Sequence, residues 1–318
     1  MYSLHFYGEM LADAARVDAY VEALRRAVKP ESVVLDLGCG PGSFALLACK
    51  FGARRVYGIE PDNVINLARE AAVANGFADR VEFFQNVSTE ITLPEPATII
   101  ISDLRGVMPW FTQNIPTIVD ARQRLLAPGG VLIPRRDLAW AAIVEEESLY
   151  NEIVGPWVDH KFGIDLSVAR SRITNCWRKR RVTPDSFLTA PVCWSTLDYR
   201  EVTNPDARGE ISWRATRSGT AHGIAMWFDA ELADGIGFTN HPAAPELIYG
   251  NGLLPFERPV EVRAGERIEV QLRADLVQND YVWSWTTNFP DQKLRFEQST
   301  FYGVPLSTEQ LKKKHAQQ

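Results

Sequence analysis

Three carboxylates stand at the ends of short apolar runs: Asp36 within Val33-Val34-Leu35-Asp36-Leu37, Glu60 after Val56-Tyr57-Gly58-Ile59, and Asp103 after Ile99-Ile100-Ile101-Ser102. Between the first two lies a turn containing Gly38, Gly40 and Gly42, followed by a helix-like run through Leu46-Leu47-Ala48. A buried strand, a turn too tight for side chains, a helix and a second strand ending in an acid make a βαβ unit of the kind that cradles nucleotides. The spacing departs from the G-x-G-x-x-G of dinucleotide sites, where a pyrophosphate lies on the helix N-terminus. A carboxylate at Asp36 facing the same turn would repel a pyrophosphate and suits an ammonium group instead. Glu60 offers two oxygens to the hydroxyls of a ribose. NAD is the competing ligand for this turn, and an ordinary βα turn is the plain reading of the glycines taken alone.

The elements that must position these acids follow from periodicity. Apolar residues at helix spacing (Leu11, Ala14, Val17, Val21, Leu24, Val28) predict an N-terminal helix over 10–28, closed by Pro30. Strands are expected at 33–37, 55–59, 81–85, 98–102 and 130–133, with helices at 43–51, 64–75 and 115–126. Such alternation specifies a mostly parallel, Rossmann-like sheet, and ligands of such sheets sit beyond the C-terminal strand ends, where all three acids fall. After Pro134 the pattern turns to period two, with strands expected at 210–216, 223–232, 260–263, 267–272 and 281–286 and Trp283 and Trp285 on one face. The expected architecture is α/β plus all-β: an N-terminal helix and Rossmann-like domain over 1–134, then an antiparallel β-barrel or sandwich domain over 135–318 with an inserted, polar and basic arm at about 161–187.

Composition narrows the function classes. Of 318 residues, 46% are hydrophobic and 23% charged, which excludes a largely disordered chain. No apolar run reaches membrane-spanning length and the N-terminus has no signal-peptide pattern, so a cytoplasmic location is the expectation. A net charge of −6 argues against general nucleic-acid binding. Arg178-Lys179-Arg180-Arg181 and Lys312-Lys313-Lys314 read as solvated faces. Cys39, Cys49, Cys176 and Cys193 lack metal-ligand spacing and read as reduced structural thiols.

A helix, an α/β domain and a β domain in this order, together with several motifs, resemble the protein arginine methyltransferases, within the class I S-adenosylmethionine-dependent methyltransferases. The motifs are Glu9-Met10-Leu11-Ala12-Asp13-Ala14-Ala15-Arg16, the Asp36 glycine turn, Gly52 through Glu60, Leu126-Ala127-Pro128-Gly129-Gly130, and Phe238-Thr239-Asn240-His241-Pro242. The resemblance implies S-adenosyl-L-methionine as cofactor. It implies Asp36, Gly38, Gly40, Gly42 and Glu60 as its cradle, Arg16 reaching the cofactor carboxylate, Met10 near the sulfonium, and the adenine beside Ser88 and Thr89. Lys161-Phe162-Gly163-Ile164-Asp165-Leu166-Ser167 resembles the start of the family's dimerisation arm, which implies a homodimer.

The acceptor end departs from the family pattern. The double-glutamate loop, S-E-W-M-G and a later glutamate, reads here Ser102-Asp103-Leu104-Arg105-Gly106, with Thr112 at the second acid; the T-H-W motif falls at Leu247-Ile248-Tyr249. A charge-assisted hydrogen bond contributes about 1.5–3 kcal/mol, so losing one costs about ten- to a hundredfold in rate. Arg105 adds a cation where one is to be received, and like charges about 4 Å apart repel by about 4 kcal/mol at an effective dielectric near 20. Asp103 is the expected catalytic residue, orienting the acceptor or taking its proton, with Arg105, Trp110 and Thr112 as substrate-side residues. The reading is therefore methyl transfer to an undetermined protein, peptide or small-molecule acceptor. A genuine arginine methyltransferase and a non-catalytic cofactor-binding subunit are the alternatives.

Overall fold

A computed structural model describes residues 3–159 and 163–303. The lysine run at 312–314 and residues 161–162 of the expected arm lie outside the described residues. The chain forms two compact units, one of Met1–Ala139, Ser195–Pro205 and Trp227–Gly250, the other of Trp140–Trp194, Asp206–Met226 and Asn251–Gln318.

The first unit begins with two helices, α1 (Leu4–Ala12) and α2 (Ala14–Ala27), where the sequence suggests one. Asp13 separates them: its backbone N–H closes α1 on Glu9, and its carboxylate caps Arg16 N at the start of α2. A short acid whose side chain competes for backbone donors favours such a cap over a helix interior. There follow β1 (Val33–Leu37), α3 (Ser43–Lys50), β2 (Arg55–Ile59), α4 (Ile65–Ala74), β3 (Val81–Phe84), β4 (Ala97–Ser102), α5 (Asn114–Arg124) and β5 (Leu126–Ile133).

These strands form one parallel sheet in the order β3-β2-β1-β4-β5. All five residues of β1 are buried, as a central strand covered on both faces requires. Register aligns Leu37 with Ile59 on one side and Ser102 on the other. Glu60 and Asp103 therefore follow their strands at one level, flanking the turn that Gly38 opens, at the point where strand order reverses. The core of this unit packs Tyr20, Ala23 and Leu24 of α2 with Val34, Ile99, Ile101 and the returning Phe228, Phe238 and Tyr249.

The remaining strands are β6 (Arg136–Val144), β7 (Arg178–Arg180), β8 (Val192–Asp198), β9 (Ala207–Arg214), β10 (Gly219–Ala233), β11 (Ile236–Thr239), β12 (Asn251–Val262), β13 (Arg267–Val277), β14 (Asp280–Phe289) and β15 (Leu294–Ser299). They make two sheets, ordered β7-β12-β10-β6-β8 with β11 beside β10, and β15-β14-β13-β9. The described antiparallel pairs include β10–β12, β13–β14 and β14–β15. On β14, Tyr281, Trp283, Trp285 and Phe289 are buried while Val282, Ser284 and Thr286 are half-buried, the expected alternation. The basic run around β7 forms a short edge strand on β12, a placement that protects a sheet edge from further pairing.

A twelve-residue helix, α6 (Glu147–Val158), was not anticipated by the sequence reading. The Phe296-Glu297-Gln298-Ser299 segment forms the end of β15. Gln298 is buried; it donates to Thr174 O (2.6 Å) and Pro255 O (3.0 Å) and accepts from Trp285 Nε1 (3.0 Å). Ser299 N donates to Asn175 Oδ1 at 2.7 Å. One strand end thus satisfies the Thr174 carbonyl and the Asn175 side-chain oxygen and ties down a buried indole.

Candidate cofactor and acceptor site

The glycine turn is built for close approach. Gly38, Gly40 and Gly42 have φ of 73°, 51° and 83°, and a Cβ at each would fall 2.4 Å from Leu104 Cδ2, 2.8 Å from Tyr7 Cε1 and 2.7 Å from Ala68 Cβ. Conformation and space both demand glycine there. Asp36 is 2% exposed, and its Oδ2 accepts from Ala45 N in the first turn of α3 at 2.8 Å. Burial pushes its carboxyl pKa up to about 7; Glu60 and Asp103 push the same way, against the Ala45 bond. Glu60 accepts from Gly40 N through Oε2 (3.1 Å) and from Asp62 N through Oε1 (2.9 Å). Burial raises its pKa as well, opposed by those two bonds.

These residues fit the methionine and ribose ends of S-adenosylmethionine. The glycines let Leu104, Tyr7 and Ala68 close onto the turn backbone. Asp36 is a buried acid whose ionised form has no cation partner among the described residues, which an ammonium would supply. Each Glu60 oxygen keeps a lone pair for a hydroxyl after its backbone bond. Ser88 is buried in a 3-10 turn, its carbonyl accepting from Arg124 Nη2 at 2.8 Å, while Thr89 beside it is exposed. Met10 is half-buried on α1, and its carbonyl accepts from Arg16 Nη1 at 2.8 Å.

The Arg16 side chain is directed to Asp103. Its Nε lies 2.6 Å from Asp103 Oδ2 and 3.1 Å from the Tyr249 hydroxyl. Burial disfavours the Arg16 charge, but Asp103 and Tyr249 outweigh it and hold the pKa above its ordinary value. The Tyr249 hydroxyl sits 2.8 and 2.7 Å from the two Asp103 oxygens and donates to that carboxylate. Arg105 Nη1 donates to Asp103 Oδ1 at 3.1 Å. Burial would raise the Asp103 pKa; Arg16 and Arg105, helped by Tyr249, overcome it and hold the carboxyl below its usual range.

Arg105 has a second and tighter acid. Its Nε and Nη2 meet Asp137 Oδ2 and Oδ1 at 2.7 and 2.8 Å, a two-pronged pair, and its Nη1 donates to the Tyr20 hydroxyl at 2.7 Å. The Tyr20 hydroxyl donates to Ser102 O (2.9 Å), and Tyr199 donates to Asp137 Oδ2 (2.6 Å). The guanidinium carbon lies 5.7 Å from the ring centres of both Phe228 and Phe238. The Arg105 and Asp137 side chains are 1% and 0% exposed, and that of Asp103 is 5% exposed. Trp110 is buried in the same loop, which Asn114 Nδ2 secures by donating to Pro109 O at 2.8 Å. Thr112 is exposed with φ 42°, a strained conformation for a β-branched residue.

The structure thus brings Arg16, Asp103 and Arg105 together and leaves Thr112 at the surface. The sequence reading did not identify Tyr20, Asp137 and Tyr199. Tyr249 was signalled by its place at the T-H-W position. Its segment is held by Asn240, which accepts from Phe228 N (2.7 Å) and donates to Gly250 O (2.5 Å), and by Asp13, whose Oδ2 accepts from Ile248 N (2.9 Å). Asp137 and Tyr199 carry no local pattern that marks them.

Comparison with known proteins finds relatives over most of the chain. Residues 34–130 match the methyltransferase domain family, and residues 137–288 match the arginine methyltransferase oligomerization subdomain. Protein arginine N-methyltransferase 1 of Dictyostelium discoideum is 27% identical, the match covering 83% of this chain and 80% of that protein. Its Schizosaccharomyces pombe namesake is 29% identical over 82% and 78%. Among solved structures, the Trypanosoma brucei PRMT1 enzyme-prozyme heterotetrameric complex with AdoHcy superposes with a TM-score of 0.85 at 25% identity, covering 94% of this chain and 98% of that one. Arabidopsis thaliana protein arginine methyltransferase 10 shares the fold, with a TM-score of 0.79 at 20% identity over 93% and 97%. The chain is a class I S-adenosylmethionine-dependent methyltransferase, protein arginine methyltransferase-like in sequence and fold.

Proposed function

We propose that this methyltransferase acts on an uncharged nucleophile rather than on a free arginine guanidinium. One observation carries the reading: the Asp103 carboxylate already accepts from Arg16, Arg105 and Tyr249, and its side chain is 5% exposed. The buried set Arg16, Asp103, Arg105 and Asp137 sums to zero charge, so a cationic acceptor would enter without a counter-ion, at a cost of several kcal/mol. An uncharged acceptor adds no charge to balance.

Bound S-adenosylmethionine supplies an electrophilic methyl on a sulfonium sulfur. The residues proposed to hold it are Asp36 at the ammonium, the backbone of Gly38, Gly40 and Gly42 along the chain, Glu60 at the ribose, Ser88 and Thr89 near the base, and Met10 and Arg16 over the turn. Arg16 keeps Nη2 available for the cofactor carboxylate while its Nε holds Asp103. With its pKa depressed, Asp103 is a weak base; its role is to fix Arg16 and the loop after β4, so that catalysis rests on positioning. The acceptor proton then leaves to solvent. A homodimer built through the second unit is proposed from the oligomerization-subdomain match, and light scattering at twice the 35.7 kDa chain mass would support it.

The test is a tritium-transfer assay offering an arginine- and glycine-rich peptide beside a panel of phenols, thiols and amides. The expected result is label on the uncharged panel without methylarginine. Methylarginine formed by the wild-type chain refutes the acceptor reading. Cofactor binding without transfer to any acceptor refutes the catalytic one.

A further inference from the structure

We propose that Arg105 is an in-cis occupant of a guanidinium site, with Asp103 and Asp137 as its two jaws, and that this residue sets the acceptor specificity of the fold. The inference rests on the reading that the acceptor is not a guanidinium, and it names the groups responsible.

The Arg105 guanidinium has Asp137 along one edge at 2.7 and 2.8 Å, Asp103 at 3.1 Å and the Tyr20 hydroxyl at 2.7 Å. Phe228 and Phe238 approach its carbon at 5.7 Å each. Two carboxylates, a hydroxyl and aromatic rings around a planar cation are what recognition of a free arginine side chain requires. Here the chain fills that arrangement itself. Arg105 is two residues from Asp103, so its local concentration excludes an external cation from the same carboxylates. Asp137 is fixed independently by Tyr199, whose hydroxyl donates to Oδ2 at 2.6 Å, so the jaw does not depend on Arg105 for its position.

An ammonium could not replace this group. It is a compact point charge and cannot satisfy Asp137 along two parallel bonds while also reaching Asp103 and Tyr20. The site is therefore selective for a planar, forked cation. Removal of the Arg105 side chain beyond Cβ would leave a hole of the shape of ethylguanidinium, lined by two carboxylates.

The test is chemical rescue of Arg105→Ala in the full chain. Melting is followed in ethylguanidinium chloride and, at equal ionic strength, in ethylammonium chloride. The expected result is a saturable rise in melting temperature with ethylguanidinium alone, roughly 2–5 °C at tenfold excess over its dissociation constant. Wild type, with the site filled, should respond to neither salt selectively. Where Arg105→Ala fails to fold in plain buffer, its refolding in ethylguanidinium and not in ethylammonium is the same positive result. Equal response to both salts, or none, overturns the proposal. Arg105→Ala/Asp137→Asn removes one jaw and relieves the unpaired buried acid; it should fold in plain buffer and lose the selective response, and retained selectivity there also overturns it. A failed rescue beside a wild type that makes no methylarginine would refute this inference while leaving the acceptor reading intact.

Discussion

Asp36 offers a quantitative test of the cofactor cradle through the stability of the free protein. Its carboxyl titrates near 7 in the folded chain against an ordinary value of 3.8, chiefly because burial disfavours its charge. Below about pH 3 both folded and unfolded forms are protonated and the site costs nothing. As pH rises toward 7 the unfolded chain releases its proton first, so folded-state stability falls, levelling off above the folded pKa. About 3 pH units at about 1.4 kcal/mol each amount to a penalty of about 4 kcal/mol at pH 8, against about 1.6 kcal/mol at pH 5. Asp36→Asn keeps an oxygen for Ala45 N and removes the titration. Its stability advantage over wild type, measured by urea unfolding without ligand, should widen by about 2.5 kcal/mol between pH 5 and pH 8. A gap that stays constant, or narrows as pH rises, would refute the argument that this acid is held against its desolvation. The same variant should bind S-adenosylmethionine poorly. Calorimetry in buffers of different ionisation enthalpy at pH 7 should show wild type releasing about half a proton on binding, as the ligand ammonium draws Asp36 into its charged form, and the variant releasing none.

Glu60→Gln puts a donor where an acceptor is needed beside Gly40 N or Asp62 N, and should weaken cofactor affinity about ten- to a hundredfold by calorimetry, with an unchanged affinity arguing against its role. Tyr249→Phe removes the hydroxyl shared by Asp103 and Arg16; urea unfolding should show a loss of about 1.5–3 kcal/mol, and no loss would mean that bond contributes nothing net. Gln298→Leu strands two backbone carbonyls and the Trp285 indole, for an expected loss of about 2–4 kcal/mol in the same assay.

The α/β half was legible because its signals are local. β1 and β2 have the bounds expected from their apolar runs, each closed by a turn and an acid. The all-β half was read in fragments for an equally physical reason. β12 runs through Pro255 and Pro259, and prolines punctuate a sequence pattern even where a bulge accommodates them in the ladder, so the strand expected at 260–263 overlaps only the last three residues of Asn251–Val262. The break at Asp13 was missed because the apolar stripe continues across it while the cap depends on one side-chain bond. At the site, Asp36, Glu60 and Asp103 announced themselves by their strand ends. The partners of Arg16 and Arg105 did not, since Asp137, Tyr199 and Tyr249 arrive from 32 to 233 residues away and are joined by tertiary packing.

The junction at Asp13 also sets a difference in timescale. α1 is nine residues long and buries none of them, whereas α2 buries Arg16, Ala19, Tyr20, Ala23 and Leu24. A helix that short is marginal in water by itself. Amide protons of α1 should therefore trade with solvent through local opening, at a rate indifferent to denaturant at low concentration, while those of α2 wait for the whole unit to unfold. The residue that caps both helices marks where one cooperative unit ends and another begins, and the Tyr7 ring above Gly40 belongs to the unit that lets go first.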